Sequence, residues 1–179
     1  GGGLYCNCEV AINDATKKLR CWEASVAISD VIEREIVYQA TRSEVWAALT
    51  TSEGLGGWWA ARAEIDARPG GTMVFHFGRE HGTSEAQIDV FEPEERFAYF
   101  WRPFDSLTDA REHPEIRTRV EFVLSDHPDG TLLKLRETGF AALPDVLSAR
   151  TLRENTHGWD IDVLPRLRTF VETGERVPY

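Results

Sequence analysis

Cysteine is scarce in this 179-residue chain, and the three that occur, Cys6, Cys8 and Cys21, lie near its beginning. An odd number of cysteines makes a poor disulfide framework, so we expect reduced thiols. A zinc site would need a fourth ligand, and no histidine lies near these cysteines in the sequence. The scarcity argues against a disulfide framework and against a metal centre, and we expect no metal.

The chain also lacks a long apolar run and an excess of basic residues. No run approaches the roughly 20 apolar residues of a bilayer-spanning helix, and the beginning has no signal-peptide pattern. Acidic residues outnumber basic ones by 30 to 20, whereas a nucleic-acid-binding surface needs concentrated Lys and Arg. We therefore expect a soluble, cytoplasmic protein with no membrane span and no nucleic-acid partner.

Three common enzyme motifs are missing: the nucleophile elbow G-x-S-x-G, the phosphate-binding loop and the dinucleotide-binding fingerprint. Hydrolase, kinase and dehydrogenase functions therefore have no support, and we expect no cofactor. What is present is an ordinary globular composition, with 42% apolar and 28% charged residues. This composition predicts one compact domain.

Residues 1–30 are interpreted as an N-terminal extension of unknown role. The opening Gly-Gly-Gly at residues 1–3, without a Met, indicates a remnant of processing or cloning. Residues 9–29 show no convincing period, so a strand and a short helix fit equally well. The single domain is predicted over residues 31–174, with a C-terminal tail at residues 175–179.

The domain is predicted to begin with a strand and two helices. Residues 31–38 are rich in β-branched side chains, and Thr41 with Glu44 forms a capping-box pattern before a helix. Gly54, Gly56 and Gly57 follow, and each weakens a helix by roughly 1 kcal/mol relative to alanine. We therefore expect the second helix to be short and mobile.

Residues 63–137 alternate strand-like runs with turn residues at 69–71, 92–95 and 128–130, which predicts an antiparallel meander with a longer loop at 102–114. Side chains point to opposite faces at successive strand residues. The apolar face comprises Met73, Phe75, Phe77, Ile88, Val90, Phe97, Tyr99, Trp101, Val120, Phe122, Leu124, Leu133 and Leu135. The polar face comprises His76, Asp89, Arg119, Glu121, Lys134 and Arg136.

The chain is predicted to end with a long amphipathic helix from about Asp145. Four apolar residues recur every four positions: Trp159, Val163, Leu167 and Val171. This helix is the element able to cover the apolar face of the sheet. Gly158 should let it approach another backbone closely, and Pro165 should remove one hydrogen bond and bend it.

Packing and turn motifs are spread over most of the chain: residues 40–49, Trp58 and Trp59, residues 69–72, residues 90–97 with Trp101, Gly130 and Thr131, residues 138–140, and Gly158 and Trp159 with Leu164 and Leu167. Together they resemble the helix-grip (START/Bet v 1-like, SRPBCC) superfamily, and its bacterial branch similar to the C-terminal domain of heat-shock protein 90 ATPase activator homologues. The resemblance implies an α+β fold: a curved antiparallel sheet wrapped around a long C-terminal helix, with two short helices after the first strand. It also implies a cavity between sheet and helix, which in the superfamily holds lipids, polyketides, hormones or other apolar molecules.

The apolar faces assigned above would line that cavity. The expected ligand-binding residues are Trp59, Phe75, Phe77, Ile88, Phe97, Tyr99, Trp101, Phe122, Leu135, Glu137, Trp159 and Val163. So many aromatic residues on one face match the mostly apolar character of small-molecule pockets. The alternative for each of them is ordinary core packing, because buried aromatic residues are common.

Three polar side chains are candidates for catalysis: Glu137, Tyr99 and His157. Glu137 continues the inward alternation of Leu135, and a carboxylate beside apolar walls is a potential general acid or base. Its alternative role is pairing with an arginine or capping backbone groups at the end of the sheet. His157 precedes Gly158 and could reach the mouth of a cavity, and its alternative role is solvent-facing or capping.

A group of metal-ligand residue types, His76, Glu80, His81 and Glu85, surrounds a predicted hairpin at residues 78–82. Surface decoration of the hairpin is the favoured interpretation, and a metal site is the alternative.

The sequence leaves three functions open, and it does not decide whether the protein is an enzyme. The first is a protein that binds a small apolar or amphipathic molecule, with the second helix and neighbouring loops as the entrance. The second is an enzyme of the polyketide cyclase or dehydratase type found in the superfamily. The third is a co-chaperone-like interaction module, suggested by the family resemblance alone. A homodimer formed through an edge strand is compatible with all three.

Overall fold

The computed structural model describes residues 30–78, 82–103 and 107–177. The N-terminal extension and its three cysteines therefore lie outside the described residues. So do Glu80 and His81 of the hairpin group, and the last two residues of the predicted tail.

The strands are β1 (Val31–Tyr38), β2 (Arg62–Ile65), β3 (Thr72–His76), β4 (Thr83–Glu92), β5 (Arg96–Trp101), β6 (Thr118–His127) and β7 (Gly130–Thr138). They form one seven-stranded sheet in the order β1-β7-β6-β5-β4-β3-β2. Every neighbouring pair is antiparallel, so the predicted meander is confirmed from β2 to β7. Strand β1 pairs with β7, the last strand in the chain, and forms one edge of the sheet.

Two helices, α1 (Arg42–Thr50) and α2 (Ser52–Trp58), follow the first strand. The predicted capping box is present, because the Glu44 N–H donates to Thr41 Oγ1 at 3.3 Å and the Thr41 N–H donates to Glu44 Oε2 at 2.8 Å. The second helix is short, as expected, and two of its three glycines, Gly54 and Gly57, allow close packing. A Cβ on Gly54 would lie 2.2 Å from the Ala47 carbonyl oxygen, and one on Gly57 would lie 2.3 Å from the ring of Phe170.

The segment predicted as a loop at residues 102–114 contains a short helix, α3 (Leu107–Glu112). The prediction was wrong there because Pro103 and Pro114 both lie outside the helix and do not interrupt it.

The C-terminal helix consists of three parts: α4 (Asp145–Gly158), a π-helical turn (Trp159–Val163) and α5 (Leu164–Thr173). In the π turn the Leu164 N–H donates to the Trp159 carbonyl, five residues back. Pro165 follows in the first turn of α5, so the predicted loss of one N–H donor falls where the π turn meets α5. The close approach predicted at Gly158 was wrong, because a Cβ there would meet nothing within 4 Å.

A β-bulge in β4 corrects one assignment of the apolar face. The register shifts between Ile88 and Val90, so the alternation moves by one residue. Phe91, rather than Val90, therefore faces the helices, and its ring lies 5.1 Å from Trp46 and 6.0 Å from Phe97. Alternation alone gave no signal of the extra residue.

The opposite face of the sheet carries the predicted charged residues, joined into ion pairs. Arg119 contacts Asp89 at 2.7 Å and Glu121 at 3.0 Å, and Lys134 contacts Glu35 at 2.8 Å. No helix in the described part of the chain has the length and apolar character needed to cross a bilayer.

Candidate functional site

Glu137 is a buried carboxyl group in the middle of the molecule, with 0% of its side chain surface exposed. Its Oε1 accepts hydrogen bonds from the Trp101 indole N–H at 2.9 Å and the Thr118 hydroxyl at 2.6 Å. Its Oε2 accepts one from the Trp159 indole N–H at 2.6 Å. Neither expected partner, an arginine or a backbone group, is involved, and no ion pair reaches Glu137 within the described ranges.

Strand register brings three of these residues together. Thr118 lies opposite Trp101 in the β5–β6 pair, and Glu137 lies opposite Val120 in the β6–β7 pair. Because residues two apart on a strand share a face, Thr118 and Glu137 point to the same side of the sheet. Trp159 approaches from the other layer, at the first residue of the π turn.

Burial is the largest influence on the titration of Glu137, and it raises the pKa of this carboxyl above its ordinary value. The three hydrogen bonds oppose the shift because each stabilises the charged form. Indole N–H groups can only donate, whereas the hydroxyl of Thr118 can also accept. A proton on Oε1 could therefore be donated to Thr118 while both indoles keep their acceptors.

Trp101 and Trp159, which bind this carboxyl group, belong to a set of seven ring-bearing residues in mutual contact, which we call the aromatic cluster: Trp58, Trp59, Phe75, Tyr99, Trp101, Phe122 and Trp159. Trp59 lies at its centre, with its ring stacked 5.3 Å from that of Phe75 and edge-on to Trp101 at 5.9 Å and Trp159 at 5.7 Å. Phe122 lies 6.0 Å from Trp159 and so connects β6 to the C-terminal helix. The cluster therefore joins α2, the sheet and the helix.

Tyr99 contributes a second buried polar group. Its hydroxyl is buried and has no hydrogen-bond partner among the described residues. Burial, with a smaller contribution from the charge of Glu137, holds the pKa of Tyr99 well above its usual range. The hydroxyl therefore stays protonated, and its capacity to donate and accept a hydrogen bond is unused.

The remaining predicted ligand-binding residues extend the wall of the cluster or adjoin it. Phe97 lies 5.6 Å from Tyr99, and half-buried Phe77 stacks 6.1 Å from Phe75. Ile88, Leu135 and Val163 belong to the surrounding apolar core, the first two buried and the third partly buried. His157 is exposed on α4, and among the described residues no hydrogen bond or ring contact links it to the cluster.

Two buried threonines were missed from the sequence. Thr118 could have been found, because the inward alternation of Phe122 and Val120 continues to this residue. Thr151 lies on α4 with a buried hydroxyl that has no partner in the described part of the chain. A threonine within a polar helical stretch carries no comparable signal.

The hairpin group does not form a described metal site. His76 lies 3.4 Å from Glu64 and is half-buried, and Glu85 lies opposite Val74 in the β3–β4 pair. Within residues 30–78, 82–103 and 107–177, no group of three or more potential ligands could hold a metal ion.

Several solved structures share this architecture. DynU16, a protein of the dynemicin biosynthetic locus, aligns with a TM-score of 0.67 and 21% identity over 85% of this chain and 51% of its own. This chain therefore spans about half the length of DynU16. CalU16 from Micromonospora echinospora aligns with a TM-score of 0.55 and 25% identity, covering 80% of this chain and 76% of its own. The Aha1 dimer from Colwellia psychrerythraea gives a TM-score of 0.59 and 17% identity, covering 80% of this chain and 97% of its own.

These likenesses confirm the predicted helix-grip fold. No curated protein matches the sequence significantly. The model of one family, described as Activator of Hsp90 ATPase homolog 1-like protein, matches residues 39–168, which is well over half of the chain. The protein therefore belongs to the Activator of Hsp90 ATPase homolog 1-like family.

Proposed function

We propose that this protein binds a small hydrophobic or amphipathic molecule in a cavity between the sheet and the C-terminal helix. The observation that carries the proposal is the Tyr99 hydroxyl, which is buried among aromatic rings and has no hydrogen-bond partner in the part of the chain that the structure describes. A buried polar group left without a hydrogen bond costs about 1–3 kcal/mol. A ligand with one polar atom would supply that hydrogen bond, whereas a core that only packs has no need of the hydroxyl.

The aromatic cluster suits such a ligand in a second way. Small-molecule sites combine mostly apolar walls with a few fixed polar groups. Glu137 holds the indoles of Trp101 and Trp159 by hydrogen bonds, so two walls of the proposed site have fixed orientations. The exposed N-terminal part of the glycine-rich α2 and its neighbouring loops would form the entrance.

Native mass spectrometry of the freshly purified protein, compared with its denatured mass, tests this proposal. An extra mass that disappears on unfolding would identify the ligand class, and the same compound should raise the melting temperature. The matched variant is Tyr99→Phe, which removes one oxygen and should weaken binding of that compound about ten-fold. A clean apo mass, together with a library of apolar compounds that leaves the melting temperature unchanged, would overturn the proposal.

A polyketide cyclase- or dehydratase-like enzyme that uses the same cavity is the second candidate. The observation that favours it is the raised pKa of Glu137, because a carboxyl group that titrates nearer neutral pH is a better general acid or base. Because DynU16 comes from the dynemicin biosynthetic locus, the substrate class proposed for this enzyme is a natural product. Conversion of the co-purified compound that Glu137→Gln abolishes, while binding persists, would establish catalysis.

Two partner interactions expected from the sequence stay predictions. The first is a co-chaperone-like interaction with Hsp90, which is suggested by the family description and by no particular residue of this chain. Retention of purified Hsp90 on the immobilised protein tests this interaction. The Colwellia psychrerythraea Aha1 is a dimer. Sedimentation equilibrium tests whether this protein is one as well.

A further inference from the structure

Trp59 differs from the other tryptophans of the aromatic cluster in how it is held. The Trp58 indole N–H donates to a backbone carbonyl at 3.0 Å, and those of Trp101 and Trp159 donate to Glu137 at 2.9 Å and 2.6 Å. The Trp59 indole N–H has no hydrogen-bond partner in the described part of the chain. Apolar packing, including its ring contacts, holds this side chain in place.

The Trp59 ring is bounded by other aromatic rings, of which Trp58 lies 5.0 Å away at a tilt of 48°. One of its faces stacks on Phe75 with the two ring planes 22° apart, and it meets the rings of Trp101 and Trp159 at 87° and 84°. Stacked and edge-to-face arrangements of this kind are the favoured geometries for aromatic pairs. The surrounding rings therefore accommodate a planar ring system, and in this structure that ring system is the Trp59 side chain.

Hydrogen bonds anchor the backbone at the C-terminal end of α2. Trp59 follows the last residue of the helix, and its backbone N–H donates to the Leu55 carbonyl at 3.0 Å. The last carbonyls of a helix lack intrahelical donors. Two of them are bound by the end of the chain, because Arg176 donates to Gly56 O at 2.6 Å and the Val177 N–H donates to Gly57 O at 3.0 Å.

We propose that Trp59 is a displaceable plug, and that the ligand taking its place contains a planar aromatic system of at least two fused rings. This inference rests on the proposed ligand-binding function and adds to it the ligand class and the gating residue. Displacing Trp59 breaks no side-chain hydrogen bond of its own to any described residue. The walls formed by Trp101 and Trp159 stay fixed by Glu137, so an incoming aromatic ring regains the contacts that the indole gives up.

Fluorine NMR of the wild-type protein labelled with 5-fluorotryptophan tests the plug, with 2-naphthol as the probe. The chain has six tryptophans, and the resonances of the neighbouring pair are assigned with Trp58→Phe and Trp59→Phe. At saturation the Trp59 resonance should move to the position of a solvent-exposed fluorotryptophan. The Trp46 resonance, assigned in the same way with Trp46→Phe, is the internal control and should stay near its ligand-free position, because the Trp46 ring contacts Phe91 and Phe97 at 5.1 Å and 6.2 Å.

Two further binding measurements test the ligand class and the direction in which Trp59→Phe changes the affinity for 2-naphthol. Decahydro-2-naphthol, the saturated counterpart, should bind about ten-fold more weakly because it cannot stack on Phe75. Trp59→Phe leaves a smaller plug and should bind 2-naphthol about three-fold more tightly, since the open state becomes more populated.

Each contrary outcome has a distinct meaning. If 2-naphthol saturates the protein while the Trp59 resonance stays buried, or if Trp59→Phe weakens binding, Trp59 is a wall of the site and the plug is overturned. Equal affinity for the saturated probe overturns the aromatic class. Absence of 2-naphthol binding overturns the whole inference, whereas the ligand-binding function itself still stands or falls by the native mass measurement.

Discussion

The Trp159 indole N–H donates a 2.6 Å hydrogen bond to Oε2 of Glu137, across the boundary between the C-terminal helix and the sheet. The other oxygen of the same carboxyl group is bound by Trp101 and Thr118, both on the sheet. One buried side chain therefore ties the two layers together with directional contacts inside an apolar interior.

Glu137→Gln should lower the free energy of unfolding by about 1–3 kcal/mol at pH 5, the usual cost of leaving one buried donor unsatisfied. The amide oxygen can accept from one side of the network, but the amide nitrogen cannot accept from an indole N–H. Urea unfolding measures the change. Glu33→Gln on the exposed face is the control and should change stability by less than about 0.5 kcal/mol. An unchanged midpoint for Glu137→Gln would show that the network adds no net stability.

The pH dependence of that difference follows from the raised pKa of Glu137. Between its ordinary value of 4.5 and the higher folded value, the native protein binds more protons than the unfolded chain. The free energy of unfolding contributed by Glu137 therefore falls as pH rises across that window. The stability advantage of the wild type over Glu137→Gln should be largest below pH 4.5 and shrink above it. Urea titrations of both proteins from acid to neutral pH check this, and an advantage that grew with pH would mean that hydrogen bonding outweighs burial.

Thr118→Val should raise the pKa of Glu137 further, because it removes a hydrogen bond that favours the charged carboxylate. Carbon-13 NMR titration of the glutamate carboxyl groups measures the shift. Thr131→Val is a matched control, since Thr131 is also 0% exposed but donates to the Ala40 carbonyl at 2.8 Å. Both variants should lose about 1–2 kcal/mol of stability. A Glu137 titration that responds equally to both would contradict the assignment.

Two glycines of α2 should respond oppositely to alanine. Gly54→Ala places a Cβ 2.2 Å from a backbone oxygen of α1 and should cost about 1–3 kcal/mol through overpacking. At Gly56 the nearest atoms are 3.9 Å away, so Gly56→Ala should be neutral or stabilising by up to about 1 kcal/mol. Thermal unfolding of both variants measures the two changes in stability. A tolerated Gly54→Ala would show that the two helices can move apart.

The sequence predicted the architecture because hydrophobic patterns and turn residues record which face of each element is buried. The strand at the start, the capping box at Thr41 and the inward position of Glu137 all followed from such patterns. Alternation failed at the bulge in β4, where one extra residue exchanged the roles of Val90 and Phe91. Backbone irregularities of this kind depend on tertiary packing and leave no periodic signal.

The hydrogen-bond partners of Glu137 were harder to predict than the apolar residues around the site. A glutamate on an apolar face suggested either a free acid or an ion pair, and the structure instead surrounds Glu137 with two indoles and a hydroxyl. Trp159 contacts it from a π turn, and a period of 3.6 residues does not reveal such a turn. The role of Gly57 was equally hidden, since the ring that requires it, Phe170, lies 113 residues later in the chain.

The π turn at Trp159–Val163 gives the two halves of the C-terminal helix different rotational phases. Such a turn is equivalent to inserting one residue into an α-helix, and each helical residue advances by about 100° around the axis. Deleting one residue from the turn would therefore rotate Leu164 and Leu167 away from the sheet while α4 kept its orientation. An ungapped alignment of this helix with a regular one assigns one of its halves to the wrong face.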